Sequence, residues 1–151
     1  YGEVTNSKTL AATIVEQRKT NPLQTITQLK QALQAVVKGN PNKYFAQVFQ
    51  ALRIEVNDEL LVLKELLEQL PAVLKPGGRA SIISFHSLED RLVKNFFKHG
   101  SLEEEAYNPF ERGERKKVFN VITRKPTEPS PEEQKRNPRS RSARLRVAEK
   151  L

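Results

Sequence analysis

The stretch Leu74-Lys75-Pro76-Gly77-Gly78-Arg79-Ala80-Ser81-Ile82-Ile83-Ser84-Phe85-His86-Ser87-Leu88-Glu89-Asp90-Arg91 decides the fold, because it reads in succession as a helix end, a tight turn, a strand and a polar loop. Pro-Gly-Gly stops a helix near Leu74 and permits positive φ in the turn, and a short run rich in β-branched residues follows at once. The run predicts a strand over 80–85. It does not alternate polar with apolar, which is the pattern of a strand covered on both faces, as in the parallel sheet of an α/β protein. Its C-terminal end carries His86, Ser87, Glu89, Asp90 and Arg91. Open α/β sheets bind ligands beyond the carboxyl ends of their strands, so this cluster is the first candidate site.

Working outward, Ser87 predicts the cap of a following helix with Asp90 at its third position, and Leu88, Leu92, Val93, Phe96 and Phe97 turned inward up to Gly100. Residues 101–117 are polar, with Pro109 and Gly113, and predict a long loop. Val118-Phe119-Asn120-Val121-Ile122-Thr123 predicts a second strand, Pro131-Glu132-Glu133 a short helix that ends by Pro138, and 143–148 a third strand. Upstream, Asn6 or Ser7 starts a helix carrying Leu10, Ile14 and Val15, and a second runs from Ile26 to Gly39. Asn40-Pro41-Asn42 reads as a loop. From Tyr44 to Leu70 the apolar spacing predicts one long helix, or two joined near Asn57.

With 151 residues the chain is long enough to bury a core. It has no cysteine, so neither a disulfide framework nor a thiolate metal site is available, and only His86 and His99 offer imidazole. No metal is expected. No window approaches the ~20 apolar residues of a membrane span, which predicts a cytoplasmic protein with no membrane partner. The net charge of +8 is unevenly spread. Between Gln134 and Lys150 stand Lys135, Arg136, Arg139, Arg141, Arg144, Arg146 and Lys150 against the single acid Glu149, a composition suited to bidentate phosphate contact.

"FQALRIEVNDEL" (Phe49 to Leu60), "LKPGGRASIISFHSLEDRLVKNFF" (Leu74 to Phe97), "TRKP" (Thr123 to Pro126) and "NPRSRSARLRVAEK" (Asn137 to Lys150) together resemble the small-subunit ribosomal RNA methyltransferase H family. The resemblance covers roughly the last two thirds of the chain, and the first third is similar to that family's helical insert. It implies an α/β fold: the C-terminal part of a Rossmann-like class I methyltransferase sheet, its last strand antiparallel to and between the other two, preceded by a helical insert, with residues 1–43 as insert and 44–151 as catalytic portion. It also implies an enzyme that transfers a methyl group from S-adenosylmethionine to the exocyclic amine of a cytidine in small-subunit ribosomal RNA. The family's cofactor turn, a Gly-Gly-His with acidic residues after the early strands, has no counterpart here. The resemblance therefore implies that cofactor-binding residues lie outside this chain, which alone is expected to be inactive.

The amine nucleophile needs positioning and a hydrogen-bond acceptor that localises its lone pair. His86, Ser87 and Asp90 are the catalytic candidates. Arg53, Asn57, Arg91, Arg139, Arg141 and Arg144 are the candidates for RNA contact, and Arg53, Asn57 and Glu59 match family positions where side chains can brace the His86 loop. Phe85 or Tyr44 offers a stacking face for an unstacked base, although either also suits a core. Two other classes compete: a noncatalytic RNA-binding module that uses the basic C-terminal segment, and a helical protein-interaction domain. An uncovered edge of the 80–85 strand predicts self-association.

Overall fold

The computed structural model describes residues 1–102 and 117–151, and the loop expected over 101–117 falls almost wholly outside them. The chain forms two compact units, 1–59 and 60–151.

The first unit is helical. Helices α1 (Ser7–Thr20), α2 (Ile26–Leu33, continued by a 3-10 turn over Gln34–Val36) and α3 (Pro41–Val56) enclose Leu10, Leu33, Tyr44, Phe45 and Val48. Thr25 and Gln28 make a reciprocal capping box at the start of α2. Asn40-Pro41-Asn42 is not a loop. Asn40 caps α3 by accepting from the Lys43 N–H (3.2 Å), and Pro41 occupies the first helical position, where its missing N–H costs nothing. Asn6 precedes α1 without capping it. Its amide instead donates to the Val36 carbonyl (2.8 Å) and accepts from the Tyr44 hydroxyl (3.1 Å), tying all three helical segments together. Tyr44, only 3% exposed, is thereby a core residue.

The long periodic stretch resolves into two helices, α3 and α4 (Glu59–Val73), broken at Asn57-Asp58, where Asp58 has φ +51°. In the second unit α4 leads through the glycine turn into β1 (Arg79–Ser84), then α5 (Ser87–His99), β2 (Phe119–Val121), α6 (Pro131–Arg136), a 3-10 turn over Pro138–Ser142, and β3 (Arg144–Lys150). Gly77 has φ +78°, and the turn is locked to the end of β3 by paired backbone bonds, Gly77 N–H to Lys150 O and Lys150 N–H to Gly78 O, both 2.8 Å. The Lys150 ammonium then donates to the carbonyls of Pro71 and Leu74, satisfying acceptors at the end of α4.

The sheet has the order β1-β3-β2 with both pairings antiparallel, as expected, and the register runs from Arg79 opposite Glu149 to Ser84 opposite Arg144. Phe96, Phe97 and Phe119 cluster with ring centroids 5.6–6.5 Å apart, packed with Leu67, Ala80, Val93 and Ala148. One expectation fails. Among the described residues β1 is covered on one face only: Ala80 and Ser84 are buried while Ile83, on the opposite side, is 58% exposed. The small polar residues Ser81 and Ser84 fall on different faces, which hides the two-residue alternation that a half-covered strand normally shows.

Candidate active site at the β1–α5 turn

Because β1 and β3 are antiparallel, the C-terminal end of β1 lies beside the first residues of β3. Arg144 therefore meets the turn that carries His86, Ser87 and Asp90.

The turn is held by a reciprocal cap, displaced by one residue from the expected one. His86, in extended backbone, is the N-cap, so Ser87 is the first helical residue and Glu89 is the third. The Glu89 N–H donates to His86 Nδ1 (3.3 Å), while the Glu89 carboxylate accepts from the backbone N–H groups of Phe85 (2.8 Å) and His86 (3.2 Å). With Nδ1 accepting, the ring proton of a neutral imidazole belongs on Nε2, which lies 3.4 Å from Glu89 Oε1. Glu89 thus grips both the backbone and the ring of the residue that starts the helix. Ser87 is exposed and is not the cap.

Asp90 is 7% exposed and accepts a forked pair of bonds from Arg146, Nε to Oδ1 at 2.6 Å and Nη2 to Oδ2 at 3.0 Å. Arg144 stands 3.5 Å from the same Oδ2. The Arg146 hydrogen bond, with the charges of both arginines, holds the Asp90 carboxyl below the usual carboxylate range although burial opposes this. Arg146 itself is 5% exposed, so this member of the basic segment is a structural counter-ion rather than a phosphate contact. Sequence reasoning missed the pair, though a signal existed. Asp90 sits three and seven residues before Val93 and Phe97, on the inward stripe of α5, and a buried carboxylate demands a cation.

The remaining candidates separate. Arg139 and Arg141 are exposed on the 3-10 turn before β3, and Arg91 is exposed on α5. Phe85 is no core residue but lies 54% exposed at the strand end. In the helical unit Arg53 and Asn57 converge on Glu59: Arg53 Nε and Nη2 donate to its two oxygens (2.8 and 3.1 Å), and Asn57 Nδ2 donates at 3.2 Å.

A family model described as the MraW methylase family matches residues 1–151. Proteins named "Ribosomal RNA small subunit methyltransferase H" are similar over essentially the whole chain: that of Cytophaga hutchinsonii is 52% identical over 99% of this chain and 50% of its own length. Those of Parabacteroides distasonis and Elusimicrobium minutum are each 47% identical over 100% of this chain, and over 50% and 47% of their own lengths. The chain spans about half the length of the curated relatives it matches.

Proposed function

Since this chain belongs to the MraW methylase family, we propose that it is the substrate-facing part of an enzyme that methylates the exocyclic amine of a cytidine in small-subunit ribosomal RNA, in the cytoplasm, with S-adenosylmethionine as donor. The relatives' printed name supports methylation of small-subunit ribosomal RNA. The cofactor would be held mainly by residues outside this chain. Residues 1–43 would serve as the helical insert and 44–151 as the catalytic portion, whose β1-β3-β2 sheet we read as the margin of a Rossmann-like sheet continuing beyond β1.

One observation carries the assignment of roles: His86, not Ser87, caps α5. That leaves the exposed Ser87 hydroxyl at the strand end free of the capping duty that would otherwise occupy its oxygen. Asp90 is engaged by Arg146, and His86 Nδ1 by the Glu89 N–H. Ser87 is therefore the best-placed acceptor for the target amine, and His86, Glu89 and Asp90 position it. An acceptor bonded to one amine hydrogen would keep the nitrogen lone pair out of ring conjugation and aimed at the methyl carbon; the carbon–nitrogen bond would form as the donor's methyl–sulfur bond breaks, the sulfur keeping the electron pair as a neutral thioether, and the surplus amine proton would leave to solvent afterwards. Phe85 offers its exposed ring to the unstacked base, and Arg139, Arg141 and Arg144 hold the neighbouring phosphates.

The test is nucleoside mass spectrometry on small-subunit ribosomal RNA treated with the whole protein and S-adenosylmethionine. A new methyl group on the cytidine amine is expected. A methyl on ring carbon or ribose, or no methyl at all, contradicts the reading.

A further inference from the structure

Residues of the C-terminal half of α5 and of the segment at and after the end of β2 line a concavity of about 430 Å³. Lys94 and Lys98, one helical turn apart on α5, line it together with Arg124, which comes just after β2. All three are exposed. Among the described residues none of the three makes an ion pair, and no acidic side chain lines the space. Arg146 contributes to the wall, but its charge is already answered by Asp90.

Part of the lining belongs to the packed core. Phe97 and the half-buried Val121 form its apolar side, and Phe97 is 1% exposed, so its ring offers no face to a base. Thr123 fixes the approach to Arg124: its hydroxyl accepts from the Val147 N–H (2.8 Å), and its own N–H donates to the Val147 carbonyl (3.2 Å). Three like charges around one hollow repel one another and concentrate anions there. A helix C-terminus alone would account for Lys98 but not for Lys94 in mid-helix or for Arg124 on another element.

We propose that this notch is a phosphate-binding site for the RNA backbone, separate from the Ser87 turn and reading no base. It gives the RNA a second anchor, so that a strand held at the notch is presented to the turn in a fixed direction. The identity of the ligand rests on the RNA-directed reading above; the site itself rests on Lys94, Lys98 and Arg124.

The whole protein and its Lys94→Gln/Lys98→Gln/Arg124→Gln variant are compared by fluorescence anisotropy with a labelled single-stranded RNA between 50 and 200 mM salt. A charge-retaining Lys94→Arg/Lys98→Arg/Arg124→Lys variant serves as control. Three lost contacts at roughly 0.7 each lower the slope of log affinity against log salt by about 2, and the control keeps the original slope. Thermal unfolding shows all three proteins equally folded. An unchanged slope in the glutamine variant overturns the proposal, as does a wild type that binds no RNA. So does a variant that loses binding only to inorganic phosphate or to phosphatidylserine vesicles. Methylation with an unchanged slope removes the notch alone, whereas the expected slope change without any methylation leaves the notch and removes the proposed reaction.

Discussion

The helical unit and the sheet unit solve the same problem, fixing separate elements against one another, with different chemistry. In the helical unit the long-range polar tie is neutral and small: Asn6 joins Val36 and Tyr44 through two ordinary hydrogen bonds, beside the apolar packing of Leu10, Leu33, Phe45 and Val48. In the sheet unit the tie is ionic and buried, Asp90 on α5 clamped by Arg146 on β3. A neutral tie is worth about 1 kcal/mol and can be lost without leaving a charge behind. A buried ion pair adds little net stability over an apolar pair, yet breaking one side of it is costly. The second arrangement therefore suits a place where geometry must be held. Here that place is the turn carrying Ser87.

The sharpest way to break the contrast is Asp90→Asn, which strands Arg146 in the interior; a loss of about 3–5 kcal/mol is expected in urea denaturation. Adding Arg146→Met to it should recover most of that loss, because no charge is then left buried. If the single change cost under 1 kcal/mol, the clamp would be no more than a surface pair.

The same clamp makes a pH prediction. Asp90 is depressed in the folded state relative to the ~3.9 of an unfolded aspartate, so it binds fewer protons folded than unfolded in that range. Its contribution is complete above the unfolded value and disappears as pH falls through the lower folded one. Acid titration of stability below about pH 4 should consequently be steeper in the wild type than in the Asp90→Asn/Arg146→Met protein. Parallel curves would show that Asp90 does not gain from its arginines.

Smaller effects belong to the helical unit. Tyr44→Phe should cost about 1 kcal/mol, since Asn6 keeps its bond to Val36, and Thr25→Ala a similar amount through the lost cap. Finding either as damaging as Asp90→Asn would erase the difference between the units. The mildest expectation concerns β1, the outer strand of the described sheet with Ile83 exposed: the isolated chain should self-associate in light scattering, and Ile83→Lys should reduce this.

The architecture was largely legible in the sequence because its signals are strong and local. Pro76-Gly77-Gly78 can only end a helix and turn, the β-branched runs mark strands, and the β1-β3-β2 order followed the resemblance. The site was legible to within one residue. Histidine is outside the usual set of capping residues, so the serine beside it drew the assignment, and the true partner, Glu89, was overlooked in favour of Asp90. The Asp90–Arg146 clamp joins residues 56 positions apart, and Arg146 lay hidden in a run of arginines whose other members are exposed. Composition placed that run correctly on the surface as a whole; only strand alternation, with Arg146 in phase with buried Ala148, distinguishes the one that turns inward.

The central claim is that Ser87 accepts from the reacting amine while His86 positions it as a cap, and steady-state methyl transfer by the whole protein separates these roles. Ser87→Ala should lower kcat by roughly 10²-fold or more with RNA affinity unchanged, the signature of a contact made at the reacting atom. His86→Asn, which replaces one capping side chain by another, should stay within a few-fold of wild type. A folded Asn variant that is inactive, or a Ser87→Ala protein that methylates at the full rate, would contradict the account.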